Sequence, residues 1–176
     1  RTDEAEAAYR AALALHPNYA NTHHYLAALY ASRNDWTRSI RHYERALTLV
    51  PDYDQARINF GNTLIRAGRV EEARSQFERL VERPESAAQA HAALGAIGLY
   101  QNDLQTAVTH LESAVSVAPR LVEALNNLAI AYERSGRVSD AISTYERLIV
   151  AWDGDAAYRA ELEKHLVTLR REPLDP

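Results

Sequence analysis

From Ala20 onward the sequence repeats itself every 34 residues, four times over and without a gap, with units starting at Ala20, Asp54, Ala88 and Val122. A fixed period of this length marks a chain made by stacking one supersecondary unit, each unit too small to bury its apolar face alone. At the seventh place of the repeat stand Leu26, Phe60, Leu94 and Leu128, and at the eighth the small residues Ala27, Gly61, Gly95 and Ala129. The twentieth place holds Ser39, Ala73, Ala107 and Ala141, and the twenty-fourth Tyr43, Phe77, Leu111 and Tyr145. Large and small residues thus alternate in register.

Each unit predicts two helices. Places 4, 7, 8 and 11 follow the i, i+3, i+4, i+7 spacing of one helical face, and the small eighth residue admits a neighbouring helix. Asn34, Gly68, Asn102 and Gly136 share the fifteenth place, where a helix ends in the left-handed conformation that Gly and Asn tolerate. A second amphipathic helix follows, stopped by Pro51 and Pro119 at place 32, by Pro84 one place early, and in the last unit by a segment with Asp153 at that place.

These places resemble the tetratricopeptide repeat family, whose helix-turn-helix units carry Leu-Gly/Ala at 7 and 8, Tyr at 11, Ala at 20, an aromatic at 24, Ala at 27 and Pro at 32. The departures are Gly98 at place 11, Ser39 at 20, Leu80 and Leu148 at 27, and His23 and His91 where the family has Trp at 4. The resemblance implies an all-α, right-handed superhelical solenoid of antiparallel helix pairs. Residues 1–19 match the second half of a further unit, through Ala5, Tyr9, Ala12 and Pro17. Units follow at 20–53, 54–87, 88–121 and 122–155, then a capping helix and tail over 156–176. The helix Ala156 to Glu172 keeps Leu162, Leu166 and Leu169 on one side, as a polar-backed cap requires.

In this family the first helices line a concave groove that takes peptides, extended or as short helices. At about 100° per residue, places 2, 5, 6, 9, 12 and 13 lie roughly opposite the packing face. The candidate peptide-binding residues on that face are His24, Tyr25, Gln55, Ile58, Asn59, Asn62, Arg66, Gln89, Leu99, Tyr100, Asn126, Asn127, Ile130 and Arg134. A primary amide supplies donors and an acceptor and so pairs with any peptide backbone, which gives Asn59, Asn62, Asn126 and Asn127 the holding role. An asparagine ladder at place 6 is the device of arrays similar to that of O-linked N-acetylglucosamine transferase, and Tyr25 and Ala93 interrupt it here. Ile58, Leu99, Tyr100 and Ile130 supply apolar contacts, and Arg66 and Arg134 at place 13 select acidic groups. "AQAHAALGAIGLYQ" is apolar on both faces and predicts a shallow hydrophobic patch formed by Ala92, Ala93, Ala96, Leu99 and Tyr100.

No catalytic chemistry is legible. The seven histidines mostly repeat in register, His23 with His91 and His42 with His110, and lack the paired spacing of a zinc hydrolase. Gly-rich phosphate loops, nucleophile elbows and kinase motifs are absent from the sequence, and no cofactor or metal is expected. A formal charge of -4 without a basic block speaks against nucleic acid, and no apolar run is long enough to span a membrane. At 47% hydrophobic and 25% charged the composition is that of a folded globular chain. The expected role is a non-catalytic protein-interaction scaffold; the alternatives are the substrate-recruiting arm of a larger enzyme such as a glycosyltransferase, or self-assembly through the N-terminal half unit. Starting at Arg1 without any Met, the chain reads as a piece of a longer protein, and its Arg- and Ala-rich composition as bacterial, either cytoplasmic or periplasmic.

Overall fold

The computed structural model describes residues 2–171, and its regular elements are helices throughout. The expected tail, and the last residue of the expected cap, Glu172, lie outside the described residues. The chain divides into two compact units, Arg1–Leu80 and Val81–Pro176.

The first unit holds α1 (Thr2–Leu15), α2 (Ala20–Ser32), α3 (Trp36–Leu49), α4 (Asp54–Arg66) and α5 (Val70–Glu78). Its core is built from the repeat's large places: Leu26, Tyr30, Tyr43, Phe60, Leu64 and Phe77 are buried, with Ala27, Ala46 and Ala73 between them. Ser39, standing where alanine is usual, is buried without cost because its hydroxyl donates to the Ala27 carbonyl at 2.8 Å. α1 contributes no fully buried residue. It is tied to α2 by polar contacts: the Tyr30 hydroxyl donates to Glu6 at 2.9 Å, and Arg33 bridges Glu6 and Asp3.

The second unit holds α6 (Ala87–Tyr100), α7 (Leu104–Val117), α8 (Val122–Arg134), α9 (Val138–Ala151) and α10 (Ala156–Leu169). Leu94, Leu111, Leu125, Leu128, Tyr145 and Leu148 form its interior, closed by Leu162, Leu166 and Leu169 of α10. Gly98, the glycine at place 11, sits where α7 crosses α6 so closely that a Cβ would lie 2.9 Å from the Ala107 backbone nitrogen.

The turn inside each helix pair comes in two alternating forms. Asn34 and Asn102 adopt φ of 59° and 61°, and the next residue, Asp35 or Asp103, caps the following helix by accepting a backbone N–H at 3.1 Å. Gly68 and Gly136 take φ of 77° and 73° and are followed by arginines, Arg69 and Arg137, which pair instead with Glu72 and Asp140.

Place 4 makes a polar pair with place 23 across three of the four hairpins. His23 meets His42, Arg57 donates to Gln76 at 2.9 Å, and His91 meets His110. His23 and Arg57 also reach the carbonyl of the preceding proline, Pro17 and Pro51. This polar bracket occupies the position of the family's tryptophan.

α5 departs from the expected helix length. It ends at Glu78, and turns occupy residues 79–86 apart from residue 83. Proline lacks an N–H, its ring crowds the carbonyl four residues back, and it pushes the preceding residue out of helical geometry. Pro84 therefore denies a helix the stretch from Leu80 to Arg83, and arriving one place early it stops α5 short.

Candidate functional site

A helix in such a stack has flanks as well as faces. On a wheel of about 100° per residue, places 2, 6, 9 and 13 point directly away from the packing stripe, while places 5 and 12 lie about a quarter turn aside. The structure shows what fills that flank. His24, at place 5, is only 7% exposed and packs among the rings of Tyr25, Tyr43 and Tyr53, 5.0 to 5.9 Å between centroids. Burial lowers its pKa and keeps the imidazole neutral. Ala92, at the same place, is 2% exposed and part of the core. Asn126 accepts a hydrogen bond from the Tyr158 hydroxyl of α10 at 2.9 Å, and Glu133, at place 12, accepts from Tyr145 and faces His165 at 2.9 Å. The expectation that His24 lies open to the groove is therefore corrected, since it is enclosed by rings, and Asn126 already accepts one hydrogen bond from α10.

In the first unit the strict groove places give Asn21, Tyr25, Ala28 and Ser32 on α2, and Gln55, Asn59, Asn62 and Arg66 on α4. Ala28, Ala31, Ser32, Asn59, Asn62 and Arg66 surround an open hollow of about 280 Å³, with Tyr43 and Thr63 completing its wall. Thr63 and Tyr43, which the groove arithmetic misses, belong to places 10 and 24. Their signal is chemical: the Thr63 hydroxyl donates to the Asn59 carbonyl at 2.9 Å, and burial pushes the Tyr43 phenol up to about 12.

The Gln55 side chain donates to Asn59 Oδ1 at 3.2 Å, which leaves the Asn59 amide N–H groups for another acceptor. Asn62 is exposed, and Arg66 makes no hydrogen bond or ion pair among the described residues. Ile58 is half-buried. Tyr25 is 50% exposed and stacks on Tyr9 of α1, centroids 5.7 Å apart.

The second unit disposes of the same places differently. Arg134, the counterpart of Arg66, donates to the Leu99 carbonyl at 3.1 Å and to Asn102 Oδ1 at 2.7 Å, so it braces α8 against α6 instead of awaiting an acid. Leu99 packs against the core, Ala93 and Ala96 are half-buried, and Tyr100 stands out at 80% exposed. The expected apolar patch thus reduces to one prominent ring. Gln89 is exposed, and Asn127 and Ile130 are half-buried. Among the described residues, no helix is long and apolar enough to cross a membrane, and no cluster of three or more His, Cys, Asp or Glu could hold a metal ion.

A tetratricopeptide repeat model matches residues 1–54 and 98–156, and a second of the same description matches 31–97. Among curated proteins, Superkiller protein 3 of Schizosaccharomyces pombe is 24% identical over 152 residues, covering 82% of this chain and 11% of its own length. Protein CTR9 homolog of Arabidopsis thaliana is 28% identical over 107 residues, 58% of this chain and 10% of its own. The chain therefore spans about a tenth of the length of these relatives. Similar solved structures include PilF of Pseudomonas aeruginosa, with a TM-score of 0.84 and 20% identity over 97% of this chain and 78% of that one. PilW, a type IV pilus biogenesis factor, gives a TM-score of 0.82 at 19% identity, covering 98% and 80%. YrrB, described as a repeat protein with an unusual peptide-binding site, gives 0.70 at 19%, covering 92% and 84%. At such identities the likeness is one of fold.

Proposed function

Because the chain belongs to the tetratricopeptide repeat family, we propose that it is a non-catalytic protein-interaction scaffold that takes an extended peptide segment of a partner on the groove face of its first unit. The observation that carries this is the hollow between α2 and α4, where two amides and an uncommitted guanidinium meet around about 280 Å³ of open space. An extended backbone presents N–H and C=O groups in alternation, and Asn59 and Asn62 are able to pair with both. Ala28 and Ala31 give side chains an apolar bed, and Arg66 favours a peptide with an acidic residue at that end by a charge-assisted hydrogen bond. In the second unit Gln89, Tyr100, Asn127 and Ile130 offer the same kinds of contact, while Arg134, the counterpart of Arg66, is engaged by Leu99 and Asn102. A non-catalytic role accords with the histidines: the rings at 23, 42, 91, 110 and 165 are engaged in hydrogen bonds within the fold.

An array of end-blocked extended peptides, varied in acidic content, tests the reading. Each amide contact is worth about 1 kcal/mol, so the double change Asn59→Ala with Asn62→Ala should weaken binding by roughly an order of magnitude while the melting temperature holds. Arg66→Gln should remove the preference for acidic peptides selectively. Binding that survives all three changes would overturn the assignment.

A further inference from the structure

The bracket between places 4 and 23 contains a feature that peptide binding does not use. His23 Nδ1 of α2 lies 2.9 Å from His42 Nδ1 of α3, and His91 Nδ1 of α6 lies 3.0 Å from His110 Nδ1 of α7. The ring centroids are 5.1 and 5.2 Å apart, so the facing nitrogens point at each other along the line between the rings. A metal ion has no place between nitrogens so aligned, whereas a single proton does.

Such a bond needs one nitrogen with a proton and one without. In the first pair the tautomers follow from a third contact. His23 Nε2 is 3.1 Å from the Pro17 carbonyl, which only accepts, so His23 carries its proton on Nε2. Its Nδ1 is then bare, and His42 is the donor, through Nδ1–H. One added proton is tolerated, because imidazolium still donates to neutral imidazole. Two added protons place N–H against N–H at hydrogen-bonding distance, with like charges behind them.

The surroundings oppose the second charge. His42 faces His23 and the stacked Tyr30 ring from α2, Arg10 from α1, and Arg41 on its own helix. The Tyr30 ring is covered on one face by Arg38, 4.5 Å from its centroid, and the nearby carboxylate, Glu6, is taken up by the Tyr30 hydroxyl and Arg33. His91 faces His110 from α7 and Glu82 from the segment before α6. Burial first, then the neighbouring cations, push the His42 imidazole down to about 4; burial lowers His91 as well, against the pull of Glu82.

We propose that the two imidazole pairs are acid-sensitive latches, one joining α2 to α3 and one joining α6 to α7, each of which holds with at most one added proton and parts on the second. The sign is fixed by linkage. Unfolded histidines take up protons near pH 6.5, above the folded values of His42 and His91, so the latches support the fold above about pH 6.5 and lose that support below it, the first as the pH falls toward 4. Because a pair sits in each unit, both hairpins loosen as the pH falls, the first toward about pH 4.

The test uses the full chain. Long-range nitrogen-proton NMR near neutral pH should show His23 protonated on Nε2 and His42 on Nδ1, and at about pH 5 one ring of this first pair should still be neutral. Melting temperature is then followed from about pH 7 to 4.5 for wild type and for His42→Gln with His110→Gln, which keep an amide donor opposite the partner ring but cannot titrate. The variant should lose roughly half or more of the wild-type fall in melting temperature. Both rings of a pair charged at pH 5 in a folded chain, or wild-type and variant curves that run parallel, would overturn the proposal. Should the variant not fold, the wild-type NMR result decides alone.

Discussion

Replacing Gly98 by alanine sets two effects of opposite sign against each other. Gly98 lies inside α6, where alanine is favoured over glycine by about 1 kcal/mol through backbone entropy alone. Against this, the new Cβ would stand 2.9 Å from the Ala107 nitrogen, 3.1 Å from its Cα and 3.1 Å from the Asp103 carbonyl oxygen. All three atoms are backbone, and they belong to the N-cap and first turn of α7. The Gly98 carbonyl accepts from Asp103 N–H at 2.9 Å, and the Asp103 carbonyl accepts from Ala107 N–H at 3.0 Å. No rotamer change relieves such a clash, so α7 must move away from α6 along its first turn. Overpacking of a close contact costs about 1–3 kcal/mol, and the upper half of that range applies where the obstacle is main chain. The net expectation is destabilisation by about 1–2 kcal/mol, seen as a melting temperature lowered by roughly 2–8 °C. Urea denaturation followed by circular dichroism measures it directly. A variant as stable as wild type, or more so, would refute the claim that glycine is required here by the approach of α7.

Two further outcomes are expected. Gly136 has φ of 73°, and a methyl group there would meet no atom within 4 Å, so Gly136→Ala should cost about 1–2 kcal/mol through backbone strain alone. Gly136→Asn should be close to silent, since Asn34 and Asn102 hold that conformation at the equivalent place; equal losses for the two variants in a denaturant titration would contradict this. The second concerns alkaline pH. Burial raises Tyr43 and Tyr132 to about 12, so in the folded state they remain protonated at a pH where an unperturbed phenol ionises. Because the folded value exceeds the unfolded one, their contribution to stability is intact below about pH 10 and is lost as the pH rises toward 12. Tyrosinate absorbance should rise in two steps, the second together with loss of helical circular dichroism; a single step with the helices intact would count against it.

The helix pairs are legible because a weak local signal repeated in register four times becomes a strong one. A lone Asn34 says little, but Asn34, Gly68, Asn102 and Gly136 at one place name a left-handed turn residue, and all four have positive φ. The early stop of α5 is half visible in Pro84: a proline taken only as a terminator hides its reach back to Leu80. The groove is harder to read, because a wheel divided into a packing face and a free face leaves no room for lateral neighbours. His24, Ala92, Asn126 and Glu133 all stand on that flank, and each is covered by or bonded within the fold. Arg66 and Arg134 show where residue type and register stop being informative. They share a residue type and a place, yet one closes on Leu99 and Asn102 while the other is uncommitted, and nothing in the sequence distinguishes them.

The two forms of hairpin turn bear on how such a chain can be lengthened or shortened. Asn34-Asp35 and Asn102-Asp103 make one form, Gly68-Arg69 and Gly136-Arg137 the other, and each recurs at every second repeat. His23 and His91, His42 and His110, Asn59 and Asn127, and Arg66 and Arg134 keep the same alternation. The alternation holds at the turns even though the first and third repeats differ at Tyr25 and Ala93. An engineer who adds or removes repeats by twos keeps the order of turn forms unbroken at every junction.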